Sequence, residues 1–126
     1  MKLQNFYLIT IIICVYITFA PTIESYAVDI NLDMDVCSCK IYIEDSNHYR
    51  IGGDGSNEYH DCTFNKHGEN HHKQIDFQNE PFWLHAKVLG RLMQEKIRGP
   101  YNNNTCYHIH GSVGRWYFDE VSCRIL

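Results

Sequence analysis

Asn79-Glu-Pro-Phe-Trp-Leu-His-Ala-Lys-Val-Leu-Gly-Arg-Leu-Met-Gln-Glu-Lys-Ile-Arg-Gly-Pro100 is the stretch on which the fold class turns. Asn79 can cap a helix, and Glu80 and Pro81 suit its first turn. Phe82, Leu84, His85, Val88, Leu89, Leu92, Met93 and Ile97 recur at the helical period and form one apolar stripe. Lys87, Arg91 and Arg98 lie off that stripe on a basic edge, and Gly99-Pro100 is a stop signal. The spacing predicts a helix over 81–97.

Outward from it, both flanks read as strands. Val36 to Glu44 alternates apolar and polar residues, Asp45-Ser-Asn47 is a turn signal, and His48 to Ile51 would return as a hairpin. Short strands are expected at Tyr59–Phe64 and Gln74–Phe77, and two more at Thr105–His110 and Arg115–Cys123, joined through Gly111-Ser-Val-Gly114. Val28 to Asp35, polar and acidic, reads as a loosely held N-terminal segment. The expected class is α+β: a twisted antiparallel β-sheet packed on a single α-helix and stapled by disulfides.

The N-terminus carries Lys2 and then an apolar run of about 15 residues, Phe6 to Ala20, the length of a secretory signal core and short of a spanning helix. Ser25-Tyr26-Ala27 supplies small residues for signal peptidase. The expected organisation is therefore a signal peptide over 1–27, with Ala20 as the alternative cut, and one small secreted domain over 28–126. Six cysteines are present. Cys14 leaves with the signal; Cys37, Cys39, Cys62, Cys106 and Cys123 remain, an odd number in an oxidising compartment. Two bridges and one free or intermolecular thiol follow. A terminal strand frays unless tied, so Cys123 is expected to reach a cysteine before the helix, Cys62 ahead of Cys39. Cys106 would then pair with Cys37 or Cys39. The opposing arrangement is a local Cys106–Cys123 bridge.

Formal net charge is −4, unevenly spread. Asp29–Glu80 holds 11 acidic and four basic side chains, whereas Pro81–Leu126 holds three and six. Either the basic half faces a polyanion or the two halves pair across the fold. Histidine is frequent, eight in all. His67-x-x-x-His71-His72 and His108-x-His110 have spacings that metals use, but the cysteines are better used in disulfides, so neither a metal nor another cofactor is expected. Asn103-Asn-Thr105 is a glycosylation acceptor. Glu80, His60, Arg98 and His110 are the residue types of a metal-free ribonuclease: a base, an acid and a phosphate-binding arginine.

The stretch Arg98-Gly-Pro-Tyr-Asn-Asn-Asn-Thr-Cys-Tyr-His-Ile-His-Gly-Ser-Val-Gly114, with Phe118 and Cys123 after it, resembles the end of the guanyl-specific fungal ribonucleases. The resemblance places Arg98 at the phosphate arginine, His110 at the acid histidine and Tyr59-His60 at the family's tyrosine and histidine on an early strand. It departs in putting Glu80 at the helix start and the helix late. The whole chain is similar to small secreted ribonuclease-like effector proteins of powdery-mildew-type fungi: signal peptide, about a hundred mature residues, a Tyr-x-Cys-like motif (Tyr59-His-Asp-Cys62) ahead of one helix, and a last cysteine near the C-terminus. That resemblance implies a non-catalytic virulence effector that binds host proteins or RNA, secreted and deliverable into host cells. The chain is expected to be a monomer, with an intermolecular disulfide as the alternative, and to make no membrane contact after signal removal. The alternatives are an active secreted ribonuclease using His110, Arg98 and Glu80 or His60, and a disulfide-stabilised secreted toxin or structural protein.

Overall fold

A computed structural model describes residues 25–64, 71–90 and 94–123. Nine strands account for its regular structure: β1 (Ser25–Met34), β2 (Ser38–Glu44), β3 (Arg50–Gly53), β4 (His60–Asp61), β5 (His72–Gln78), β6 (Phe82–Val88), β7 (Lys96–Tyr101), β8 (Thr105–Ser112) and β9 (Arg115–Val121). One sheet has the order β5-β1-β8-β9; the other has the order β3-β2-β6-β7, with β4 also paired to β2. β1 and β8 run parallel, and the other strand pairs are antiparallel.

The expected α+β class is thereby corrected to all-β, because the described residues contain no helix. In place of the helix over 81–97 stand β6, a turn at Leu89-Gly90 and β7, while Arg91, Leu92 and Met93 lie outside the described residues. Two periods compete in this stretch. Phe82, Leu84, Ala86 and Val88 alternate perfectly and are all buried, at 2% exposure or less. Trp83 and Lys87, between them, are half-buried and face outward. Alternation places four side chains in the core, and the helical stripe would also have needed Leu89 and Ile97, which are both 49% exposed. Gly90 lies hard against Val113, so any larger residue in this turn would meet that side chain.

The N-terminal segment is also corrected. Val28, Ile30, Leu32 and Met34 are almost fully buried, and Asp29, Asn31 and Asp33 alternate with them. β1 is not loosely held; it is an inner strand, paired on both edges. Its acids made the segment look like a solvated tail, although period-two alternation is what a half-buried strand requires. The Ala27–Val28 bond lies inside β1, where Tyr26 packs on Phe77 and Phe82.

The two sheets face each other across one core whose buried side chains come from every strand except β3, β4 and β7, with Ile51 of β3 and Tyr101 of β7 packed against it and Tyr107, Phe82 and Phe118 among its largest fully buried side chains. Phe77 of β5 meets Phe82 of β6 edge-on with centroids 4.6 Å apart, a favoured aromatic geometry. At one side β3 approaches β5, and only glycine fits at 52, because a Cβ there would lie 2.9 Å from Ile75. At the other side two cations of β7 reach across to β9: Lys96 Nζ donates to Trp116 O at 2.7 Å and Arg98 to Phe118 O at 3.1 Å. These bonds occupy carbonyls of an edge strand that would otherwise invite another chain.

Cys39 is bonded to Cys62, and Cys106 to Cys123. The expected Cys62–Cys123 staple is therefore corrected to two local bridges. Pairing of β8 with β9 sets Cys106 opposite Val121, which brings the chain end to Cys106 with Cα atoms 5.3 Å apart. Pairing of β2 with β4 does the same for Cys39 and the His60–Cys62 segment. Sequence separations of 23 and 17 correspond to about 3 kcal/mol each in the chain-entropy account.

Candidate functional site

The segment from Asp35 to Ser38 leaves one end of the sandwich and runs beside Asp61–Phe64. Met34 N donates to Cys62 O at 3.1 Å, Cys62 N to Cys37 O at 3.1 Å, and Phe64 N to Met34 O at 2.8 Å. The Thr63 hydroxyl accepts from Cys37 N at 3.1 Å. Leu89 N donates to Ser38 O, and Asp35 N to Gly111 O, so the β6–β7 turn and the β8–β9 hairpin join the same platform. The Cys39–Cys62 bridge closes it covalently. From this fixed base Val36 projects with 87% of its surface exposed, Phe64 with 53% and Leu89 with 49%. Exposed apolar residues scattered singly are ordinary; three on one hydrogen-bonded end are a candidate contact surface.

The charges beside them are acidic. Asp35 and Asp61 are both exposed, and bonds from Thr63 hold the Asp61 carboxyl below its usual range, so it stays ionised. Cys37 sits beneath, buried and unbridged. Burial first, then the Asp61 and Asp35 charges, pushes its thiol up, which makes it a poor nucleophile. That setting does not suit the intermolecular disulfide allowed by the odd cysteine count.

Behind the platform lies a second cluster. His60 Nε2 is 3.4 Å from Cys62 Sγ and 3.9 Å from Cys39 Sγ. Its Nδ1 is 2.9 Å from Asp54 Oδ2, a contact tilted away from good hydrogen-bond alignment. Burial lowers the His60 pKa despite the Asp54 charge. Asp54 is itself held by Lys73 Nζ at 2.9 Å and by Ile41 N at 2.8 Å.

The four residues expected to form a ribonuclease centre are placed apart. His60 belongs to this cluster near the start of β2, whereas Glu80 lies in the β5–β6 turn at the opposite end. His110 is on the outer face of the other sheet, bonded to Asp119 at 2.8 Å and stacked between His108 and Tyr117. The guanidinium of Arg98 is taken by the Ile97 and Phe118 carbonyls. His108 pairs with Asp33 at 2.9 Å and His72 with Asp29 at 3.4 Å. His71 contacts Thr63 O, and His67 lies outside the described residues. Asn103 is exposed in the β7–β8 loop, where the Thr105 hydroxyl donates to its carbonyl.

Sequence reasoning missed His85. It lies under Tyr42, with Nε2 2.7 Å from Glu44 and Nδ1 3.2 Å from Glu95. Tyr42 OH donates to the same Glu95 oxygen. Both ring nitrogens are engaged and the residue is buried, so His85 braces the outer face of its sheet. The open groove beside it, about 580 Å³, is lined by charges of both signs, among them Lys40, Glu44, Arg50 and Glu58.

No family model matches the sequence, and none of the curated proteins matches it. Among solved structures the chain is similar to the human-specific toxin intermedilysin (12% identity, TM-score 0.43, covering 82% of this chain and 24% of that one). It is likewise similar to listeriolysin O (11%, 0.44, 81% and 23%). A third similarity is to the membrane-binding domain of pneumolysin (9%, 0.39, 81% and 100%). The chain spans about a quarter of the length of the complete toxins. The ribonuclease-like effector resemblance is corrected, because the single helix on which it leaned is absent from the described residues, whose regular structure is all strand. Both disulfides are consistent with an extracellular protein.

Proposed function

We propose that this chain is an extracellular, disulfide-stabilised domain that docks on a lipid surface through Val36, Phe64 and Leu89. Of the two kinds of disulfide-stabilised protein considered from the sequence, toxin and structural protein, this favours the toxin kind. The observation that carries the reading is the position of these side chains at one braced end of the sandwich, with Val36 almost wholly exposed. They project from one braced end, an arrangement that suits a soft surface able to close around each exposed side chain. Apolar contact of this sort grows with the area removed from water.

Asp35 and Asp61 select the lipid. Carboxylates beside the tips repel anionic headgroups and attract the outward-facing quaternary ammonium of a choline headgroup, which also suits the face of Phe64. The expected surface is zwitterionic, which replaces the earlier expectation of no membrane contact. Co-sedimentation with phosphatidylcholine vesicles tests this. Binding should persist in moderate salt, weaken when anionic lipid is added, and fall at least tenfold in a Val36→Asp/Phe64→Asp variant that keeps its β-sheet circular dichroism. Equal binding by that folded variant would sink the reading.

A further inference from the structure

Cys39, His60 and Cys62 present three soft or borderline metal-ligand atoms within 4.8 Å of one another. A tetrahedral zinc ion bound to sulfur at about 2.3 Å and nitrogen at about 2.0 Å sets those two atoms about 3.5 Å apart. The observed sulfur-to-Nε2 distances of 3.4 and 3.9 Å bracket that value. One change separates the cluster from a metal site: the two sulfurs are bonded to each other.

The arrangement behind His60 is that of a metal ligand as well. Its Nδ1 lies 2.9 Å from Asp54, out of hydrogen-bond alignment while the sulfurs are bridged, and Asp54 is a carboxylate fixed from two other directions by Lys73 and the Ile41 amide. Ligating histidines are commonly oriented by such a carboxylate on the second nitrogen, which keeps the proton there and leaves the first nitrogen free to bind. Here the free nitrogen, Nε2, points at the sulfurs.

We propose that reduction of the Cys39–Cys62 bridge converts this cluster into a zinc site with Cys39, Cys62 and His60 as its protein ligands. Two thiols of the glutathione class supply two electrons. The Cys39–Cys62 bond breaks, a disulfide forms between the reductant sulfurs, and the two thiol protons pass to the cysteines. Binding of Zn²⁺ releases both protons to solvent and leaves two thiolates and one neutral imidazole on the ion. The fourth position falls to water or an outside ligand. The platform under Val36 and Phe64 would thus keep a clasp in both settings, a disulfide outside cells and a metal in a reducing compartment. The inference rests on the cluster alone and stands or falls separately from the lipid reading.

Cobalt serves as the spectroscopic probe. The phosphine-reduced full chain should bind one Co²⁺ with thiolate-to-cobalt charge-transfer absorption, and the oxidised chain should show none. Zn²⁺ should displace the cobalt and slow alkylation of Cys39 and Cys62 selectively over Cys37, Cys106 and Cys123. Asp54→Asn should weaken binding about 10- to 100-fold, and His60→Gln should weaken it further. If reduction unfolds the chain, Zn²⁺ should restore the β-sheet signal in the native sequence but not in His60→Gln. Absence of stoichiometric cobalt together with no zinc-driven refolding would overturn the proposal. So would protection falling on other cysteines, or binding unchanged in His60→Gln.

Discussion

The two ends of the sandwich differ in where their largest apolar clusters point, although Tyr49, in the β2–β3 hairpin at the end where β1 begins, is 70% exposed. At that end, Tyr26, Phe77, Phe82 and Tyr101 turn inward and contact one another. The loop over them is polar: Asn102 accepts from the Tyr26 hydroxyl and Asn104 from Ala27 N. At the end where β1 finishes, the aromatic and aliphatic tips point outward, and the closure beneath them is a disulfide and a lattice of backbone bonds. One end is held by packing, the other by covalent and hydrogen-bonded bracing that frees its apolar side chains for contact. Stability and binding should therefore separate between the ends.

The largest expected effect is at the packed end. Phe82 is fully buried, and Phe82→Ala should cost about 3–5 kcal/mol, a large share of a small domain's total. Chemical denaturation measures it, and a loss under 1 kcal/mol would dissolve the contrast between the ends. Next is the brace: Cys39→Ser/Cys62→Ser should cost about 3 kcal/mol in the oxidised protein, with weakened vesicle binding as the platform loosens. The smallest stability effect is at a tip. Val36→Ser should change unfolding by less than about 0.5 kcal/mol and still reduce vesicle binding, so the two measurements move independently.

Part of this was legible in the sequence. The hairpin at Asp45-Ser-Asn47 is present, with Asp45 accepting from both Asn47 N and Tyr49 N, because turn chemistry is local. The strands expected at Gln74–Phe77, Thr105–His110 and Arg115–Cys123 are present as β5, β8 and β9, the last ending at Val121. Phe82–Val88 was misread because its apolar residues satisfy two periods at once; Ala86, a good helix former lying on the strand's inner face, is the residue that separates them. β1 was missed because its outward acids masked the inward alternation of Val28, Ile30, Leu32 and Met34. The end with the exposed apolar tips was not legible at all. Val36, Phe64 and Leu89 are distant in sequence, and an exposed apolar residue looks like a core residue until the fold shows which side it faces.

The packed end makes one further claim, on processing. Ser25–Ala27 pairs with Asp76–Gln78, so a cut after Ala27 would remove these pairs from β1 and a cut after Ala20 would keep them. N-terminal sequencing of secreted material that began at Val28 would show that β1 holds without those pairs. Glycan at Asn103 would sit at this same end, away from the tips. An Asn103→Gln variant should therefore lose the glycan's mass when made in a eukaryotic secretory pathway and leave vesicle binding unchanged.

The account's central claim is that one end meets lipid and the other does not. Tryptophan placed at Phe64 or at Asn103, each in a folded variant mixed with phosphatidylcholine vesicles carrying brominated acyl chains, reads that directly. The account predicts bromine quenching of the tryptophan at 64 and none at 103 beyond the background of Trp83 and Trp116. Equal quenching at the two positions, or quenching at 103 alone, would contradict it.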